Sequence, residues 1–188
     1  MPKNIYLNST EDLIIYINED LPNESLIILD SSLKQFKLHN NFNTNHVYFN
    51  VSEETKNLET VEKIWEIMFS SNLTRSDEIV IIGGGVMLDL CSFAASTYKR
   101  GVAFTLVPST LLAMVDASHG GKNGFNNDYG KNQIGTFNLP KGVVVCFELL
   151  DTLKDKDYKD GLIELVKHGL IGSKETVSYT HLTLPTKA

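Results

Sequence analysis

The strongest constraint in this sequence is a series of short apolar runs that do not alternate with polar residues. Leu26-Ile27-Ile28-Leu29 ends at Asp30, and Val47-Tyr48-Phe49 follows it. Ile79-Val80-Ile81-Ile82 stops at three glycines, Phe104-Thr105-Leu106-Val107 stops at Pro108, and Val143-Val144-Val145 closes the series. A strand with one wet face alternates, whereas a continuous run needs apolar cover on both faces. Such runs predict a parallel sheet with helices on either side. The intervening segments carry helical spacing: Leu58, Val61, Ile64, Trp65 and Met68 recur among Glu and Lys, and Leu13, Ile14 and Ile17 follow a cap at Ser9 or Thr10. Val86 to Tyr98 reads as a further helix. Right-handed crossovers turn this into a Rossmann-like α/β fold.

The character changes after Leu149. Asp151 to Asp160 is strongly charged, and Leu162 to Leu170 begins an amphipathic helix. This places residues 1–150 in the α/β domain and 151–176 at the beginning of a helical second domain. Residues 177–188 form a tail with no clear period. The 188 residues carry 42% hydrophobic residues and a net charge of −6. A packed core is expected, and a general polyanion binder is not. No run approaches the roughly 20 apolar residues that span a bilayer. A cytoplasmic protein with no nucleic-acid or membrane partner is the expectation. Cys91 and Cys146 lie in apolar runs, where thiols act as small hydrophobes, and Trp65 is expected in the core.

Three groups of residues could carry chemistry. Gly83-Gly84-Gly85 follows a strand and precedes a helix, where backbone N–H groups and the helix N-terminus favour a phosphate; a tight turn would use the same glycines. Asp116 to Gly124 and Gly130-Lys131-Asn132 read as polar, glycine-rich loops. Their lysines, Lys122 and Lys131, supply point charges for phosphate or carboxylate. Glu164 and Lys167 share a helix face at i,i+3, followed by His168. Glu164 could be a metal ligand, an acid–base group or half of a surface ion pair, and no obvious set of further ligands stands beside it. His119 suits either a ligand contact or an exposed loop.

In this order, these segments resemble the 3-dehydroquinate synthases, a family within the sugar-phosphate cyclases. The resemblance is carried by Gly83-Gly84-Gly85-Val86-Met87-Leu88-Asp89-Leu90, by Tyr98-Lys99-Arg100-Gly101 and by Val107-Pro108-Ser109-Thr110 through Asp116-Ala117-Ser118. It continues in Gly120-Gly121-Lys122, Gly130-Lys131-Asn132 and Gly161-Leu162-Ile163-Glu164-Leu165-Val166-Lys167. It implies NAD held by Asp30, Glu53, Lys56, Gly83, Gly84, Gly85 and Asp89 and lined by Ser109, Thr110 and Leu112. Asp116, Lys122, Lys131 and Asn132 would face nicotinamide and substrate. Arg100 would reach the substrate phosphate of a neighbouring subunit, implying a homodimer. Glu164 would be one ligand of a divalent metal, zinc or cobalt, and Lys167 a substrate contact.

The implied reaction is a phosphate-eliminating carbon–oxygen lyase step of the shikimate pathway, leading to aromatic amino acids. It converts 3-deoxy-D-arabino-heptulosonate 7-phosphate into 3-dehydroquinate and phosphate. NAD oxidises the C5 hydroxyl transiently, the adjacent C–H is acidified, phosphate leaves, C5 is reduced again and an internal aldol closes the ring. Departures from the family pattern are Leu88, which could crowd the glycine turn, His119, and Ser109 in place of Thr. The resemblance fades from about Thr176, and His181 does not sit in a family histidine motif. The family's helical domain supplies two further histidine ligands, so these 188 residues alone are expected to be inactive. Alternative expectations are a cyclase for a different sugar phosphate, a metal-dependent polyol dehydrogenase, and a stand-alone NAD-binding module.

Overall fold

The computed structural model describes residues 2–22 and 25–172. The tail 177–188 and its His181 therefore lie outside the described residues, as do 173–176.

Six strands form one parallel sheet: β1 (Lys3–Leu7), β2 (Leu26–Asp30), β3 (His46–Phe49), β4 (Glu78–Gly83), β5 (Ala103–Pro108) and β8 (Gly142–Cys146). Their spatial order is β1-β8-β5-β4-β2-β3, with Ile28 opposite Ile81 and Ile81 opposite Leu106. The continuous runs are explained by burial on both faces. Leu26, Ile28, Ile79 and Ile81 pack against α2 (Leu58–Ser70) and α3 (Gly85–Thr97). Their neighbours Ile27, Leu29, Val80 and Ile82 pack on the opposite face against Leu13 and Ile17 of α1 (Thr10–Asp20). A further helix, α4 (Asp155–Gly172), follows a short 3₁₀ turn at Phe147–Leu150. Among the described residues, no helix is long and apolar enough to cross a membrane.

The sheet's connections reverse direction between β2 and β4. From β2 the chain passes to the edge strand β3, while from β4 it passes through α3 to β5 on the other side. In open α/β sheets, ligands settle in the crevice that such a reversal leaves at the strands' carboxyl ends. Asp30 ends β2 and Gly83 ends β4, so both stand at that crevice.

Three expectations need correction. The segments around Lys122 and Lys131 are not loops but strands, β6 (Lys122–Asn127) and β7 (Gly130–Phe137), paired antiparallel as a hairpin outside the main sheet. Their polar composition is compatible with a strand because β7 is almost wholly exposed and needs no apolar face. Helix α4 begins at Asp155 rather than near Leu162, its acidic first turn (Asp155, Asp157) matching the positive end of the helix dipole. Trp65 is half-buried at the rim of the core, its Nε1–H donating to the Ala94 carbonyl at 3.1 Å and to Thr97 Oγ1 at 3.2 Å. Leu88 is buried in the α3 face of the core and leaves the glycine turn clear. Both cysteines are buried, and desolvation pushes the Cys91 thiol far above its ordinary value, as expected of an inert hydrophobe.

Candidate functional site

The crevice is built from the turn after β4. Gly83 is buried against Met87 and Asp30: a Cβ there would lie 2.7 Å from Met87 Cβ and 3.3 Å from Asp30 Cβ. Only glycine fits between them. Gly84 is the N-cap of α3 and supplies no side-chain cap. By contrast, Ser9 caps α1 and Asn57 caps α2. The first-turn N–H groups of α3 therefore have no side-chain acceptor, the arrangement that receives an oxyanion at a helix N-terminus. Asp30 accepts the Ser32 N–H at 2.8 Å and so fixes the chain leaving β2. The Ser109 N–H donates to the Gly83 carbonyl at 2.9 Å. Beyond it a cleft of about 250 Å³ is lined by Ser32, Ser109, Thr110, Thr152 and Lys154 among others. Leu112 is exposed beside this turn.

After Thr110 the helix widens into a π turn at Ala113–Ala117, a feature often found at functional sites. It leaves Asp116 exposed and brings it to α4. Asp116, Glu164 and His168 each present one donor atom, and the three atoms lie within 4.8 Å of one another. His168 Nε2 is 3.3 Å from Glu164 Oε1 and 3.9 Å from Asp116 Oδ1. Glu164 Oε1 is closed off from solvent and takes no hydrogen bond of regular geometry, although Lys167 is ion-paired with it. Pairing with the Glu164 carboxylate raises the Lys167 pKa. A shielded carboxylate oxygen with a second carboxylate and an imidazole is a donor set that fits a divalent cation such as zinc or cobalt. The i,i+3 ion pair expected from the sequence is thus present, and it stands inside a larger cluster. Asp116 and His168 were missed as partners because they meet only through the packing of α4 on the 110–117 turn. Gly161 permits that approach: a Cβ there would lie 2.7 Å from the Leu112 backbone N.

The hairpin supplies the remaining groups. Lys122 opens β6, and Lys131 and Asn132 open β7. A cleft of about 350 Å³ beside the hairpin is lined by Asp89 of α3 and by Lys122, Asn132, Gln133 and Thr136. Lys56, only 4% exposed, reaches Asp89 Oδ2 at 2.5 Å and Asn132 Oδ1 at 2.7 Å. Burial outweighs this lysine and leaves the Asp89 carboxyl above its ordinary value. Glu53 is pushed upward by burial, but hydrogen bonds from Asn126 and Lys131 and the charges of Lys56 and Lys131 carry it below the ordinary value. Its Oε1 lies 3.1 Å from Lys131 Nζ.

The structure does not bring Arg100 into this neighbourhood. Arg100 is exposed just beyond the far end of α3, a helix of 13 residues and hence about 20 Å from the glycine turn. It adopts a left-handed φ of 70°. His119 is exposed, its Nε2 3.0 Å from the Met114 carbonyl oxygen.

A doubly wound parallel sheet with an uncapped, glycine-led helix at its switch point, faced by lysines, defines a nucleotide- or phosphate-binding α/β domain. The comparisons narrow this class. Residues 46–160 match the family described as 3-dehydroquinate synthase N-terminal, and the chain belongs to that family. It is 51% identical over 123 residues to the 3-dehydroquinate synthase of Streptococcus sanguinis and 50% identical to that of Streptococcus gordonii. Those matches cover 65% of this chain and 35% of each relative, so the chain spans about a third of the curated relatives' length. A 2-deoxy-scyllo-inosose synthase structure matches with a TM-score of 0.78 and 28% identity, covering 89% of this chain and 50% of the other. A second structure of that enzyme, complexed with carbaglucose-6-phosphate, NAD+ and Co2+, gives 0.77 at 28% identity, with 89% and 48% covered. The 2-epi-5-epi-valiolone synthase ValA of Streptomyces hygroscopicus, with NAD+ and Zn2+ bound, shares the fold at a TM-score of 0.81 and 24% identity, with 89% and 49% covered.

Proposed function

We propose that this chain carries the NAD-binding part, and part of the catalytic site, of a 3-dehydroquinate synthase. The substrate is 3-deoxy-D-arabino-heptulosonate 7-phosphate, and the products are 3-dehydroquinate and phosphate. One observation carries the reading: the uncapped glycine turn, the lysine-bearing hairpin and Asp116 lie within the family-matched residues, and Glu164 and His168 of α4 meet Asp116 there. Relatives solved with NAD+ and Co2+ or Zn2+ support the same cofactors here.

The N–H groups at the start of α3 receive the dinucleotide pyrophosphate, with Asp30 at the neighbouring strand end placed for a ribose hydroxyl. Ser109, Thr110 and Leu112 line the cofactor. Glu164 holds the divalent metal, with Asp116 and His168 beside it. When bound, NAD and the metal supply transient oxidation at C5 and polarisation of its oxygen. Lys122, Lys131, Lys167 and Asn132 orient the anionic substrate and offset charge as phosphate leaves. Arg100, remote from this crevice, serves the equivalent crevice of a second subunit in a homodimer. Residues 1–150 form the cofactor domain, and α4 opens a second domain. The 188 residues alone bind NAD but do not turn over, since the relatives extend well beyond the matched part.

Calorimetric titration of NAD into the chain tests this. Binding that Asp30→Ala and Gly84→Val abolish is expected, and a folded chain with no NAD affinity would overturn it. A cyclase for another sugar phosphate is the second reading, favoured by the likeness to 2-deoxy-scyllo-inosose synthase. Product analysis after transplanting this domain into a full-length relative separates the two.

A further inference from the structure

The hairpin β6–β7 carries Lys122, Lys131 and Asn132, yet little apolar surface secures it. Phe125 alone is deeply buried among its large apolar side chains, stacked edge-on to Phe93 of α3 at 5.1 Å. At the other end, Asn138 Nδ2 donates to Ser96 Oγ at 2.9 Å. These contacts secure the body and base of the hairpin. Its tip, where Asn126 and Asn132 stand, is held by polar contacts to the segment before α2. The Asn126 N–H donates to the Lys56 carbonyl at 2.8 Å. Lys56 Nζ joins Asn132 Oδ1 to Asp89 Oδ2. The Asn132 N–H donates to Asn126 Oδ1 at 2.9 Å, with Asn132 in a left-handed conformation at φ 53°. Two further links reach Glu53: Asn126 Nδ2 donates to its Oε1 at 3.0 Å, and Lys131 pairs with it between side chains 73% and 42% exposed, where water and salt screen the contact. The Lys56 ammonium is nearly closed to solvent, so its contacts are the ones that resist screening.

We propose that Lys56 is a positioning residue whose ammonium ties the tip of the hairpin to α3, setting Asn132, and with it Lys131, at the crevice. The tether uses two of the three ammonium donors, on Asp89 and Asn132, and leaves the third for a cofactor contact. A lysine suits the task. Its ammonium offers three donors on a long stem, enough to serve a carboxylate and an amide oxygen at once. What the hairpin presents its lysines to rests on the proposed function; the tether itself rests on geometry alone.

Residue-resolved amide hydrogen exchange on the ligand-free chain tests it. Lys56→Met is expected to speed exchange at Asn126 and Asn132 by about tenfold or more, while amides of β4 and β5 keep their protection. Lys56→Arg, which retains charge and several donors, is expected to restore most of the hairpin protection. Lys56→Met leaves Asp89 half-buried without its partner and could weaken the whole fold. The Lys56→Met/Asp89→Asn double variant removes that burden. It is expected to recover global stability while the hairpin tip still exchanges quickly. Unchanged exchange at the tip in Lys56→Met would overturn the proposal, as would full recovery of tip protection in the double variant. NAD affinity of the unmutated chain is measured separately. Its absence would refute the proposed function and leave the exchange result standing.

Discussion

Replacing Gly161 with alanine sets two effects of opposite sign against each other. Within a helix, alanine is favoured over glycine by about 1 kcal/mol, so an isolated α4 would gain. In the folded chain the added Cβ would lie 2.7 Å from Leu111 Cβ and from the Leu112 backbone N, and 2.8 Å from Leu111 Cγ. A backbone atom within a helical turn cannot swing aside as a side-chain tip can, and forced overpacking costs about 1–3 kcal/mol. The overlap therefore cancels or exceeds the propensity gain, and α4 moves off the turn that carries Asp116. The 3.9 Å approach of His168 to Asp116 widens with it. Amide exchange should show α4 deprotected and the central sheet unchanged, while urea unfolding shows no gain in stability. A Gly161→Ala chain stabilised by about 1 kcal/mol with α4 fully protected would refute the packing argument.

Other outcomes follow from the same geometry. Ile81→Ala, at the centre of the sheet, should lose about 2–5 kcal/mol in urea unfolding because the surrounding core is fully packed. Asn57→Ala removes the side chain that accepts the Thr60 N–H and should cost about 1 kcal/mol, read the same way. Glu53 titrates below its ordinary value of 4.5. The stability from its pairing is therefore fully present above that value and is lost as pH falls through the lower folded value. Chemical shifts of Lys131 should stay constant near neutral pH and change in acid with a midpoint below 4.5. Gly84→Val, whose Cβ would come within 3.2 Å of Thr110 Cγ2, should abolish NAD binding by calorimetry while the circular dichroism spectrum is retained.

The parts that were legible in the sequence are those whose physics is local or repetitive. Continuous runs such as Ile79–Ile82 announce strands buried on both faces, and Ser9 marks a helix start by its side-chain chemistry. Strand β1 at the sheet edge escaped notice because Lys3–Leu7 is short and mixes exposed with half-buried positions. The hairpin escaped because Gly130–Phe137 buries almost nothing; the only signal was the Asn127-Asp128-Tyr129-Gly130 stretch, which suits a turn between strands. The glycine turn, Glu164 and the lysines were visible as residue types in order. The meeting of Asp116 with His168, and the double contact of Lys56, are tertiary facts that no periodicity encodes.

The most direct test of the proposed function is a chimera in which residues 46–160 of this chain replace the matching part of the Streptococcus sanguinis relative. Phosphate release from 3-deoxy-D-arabino-heptulosonate 7-phosphate is then measured with NAD and zinc or cobalt present. The proposal predicts release with 3-dehydroquinate as product, abolished by Lys122→Ala. A chimera that folds and binds NAD yet releases no phosphate, or gives a different cyclic product from a different sugar phosphate, would contradict it.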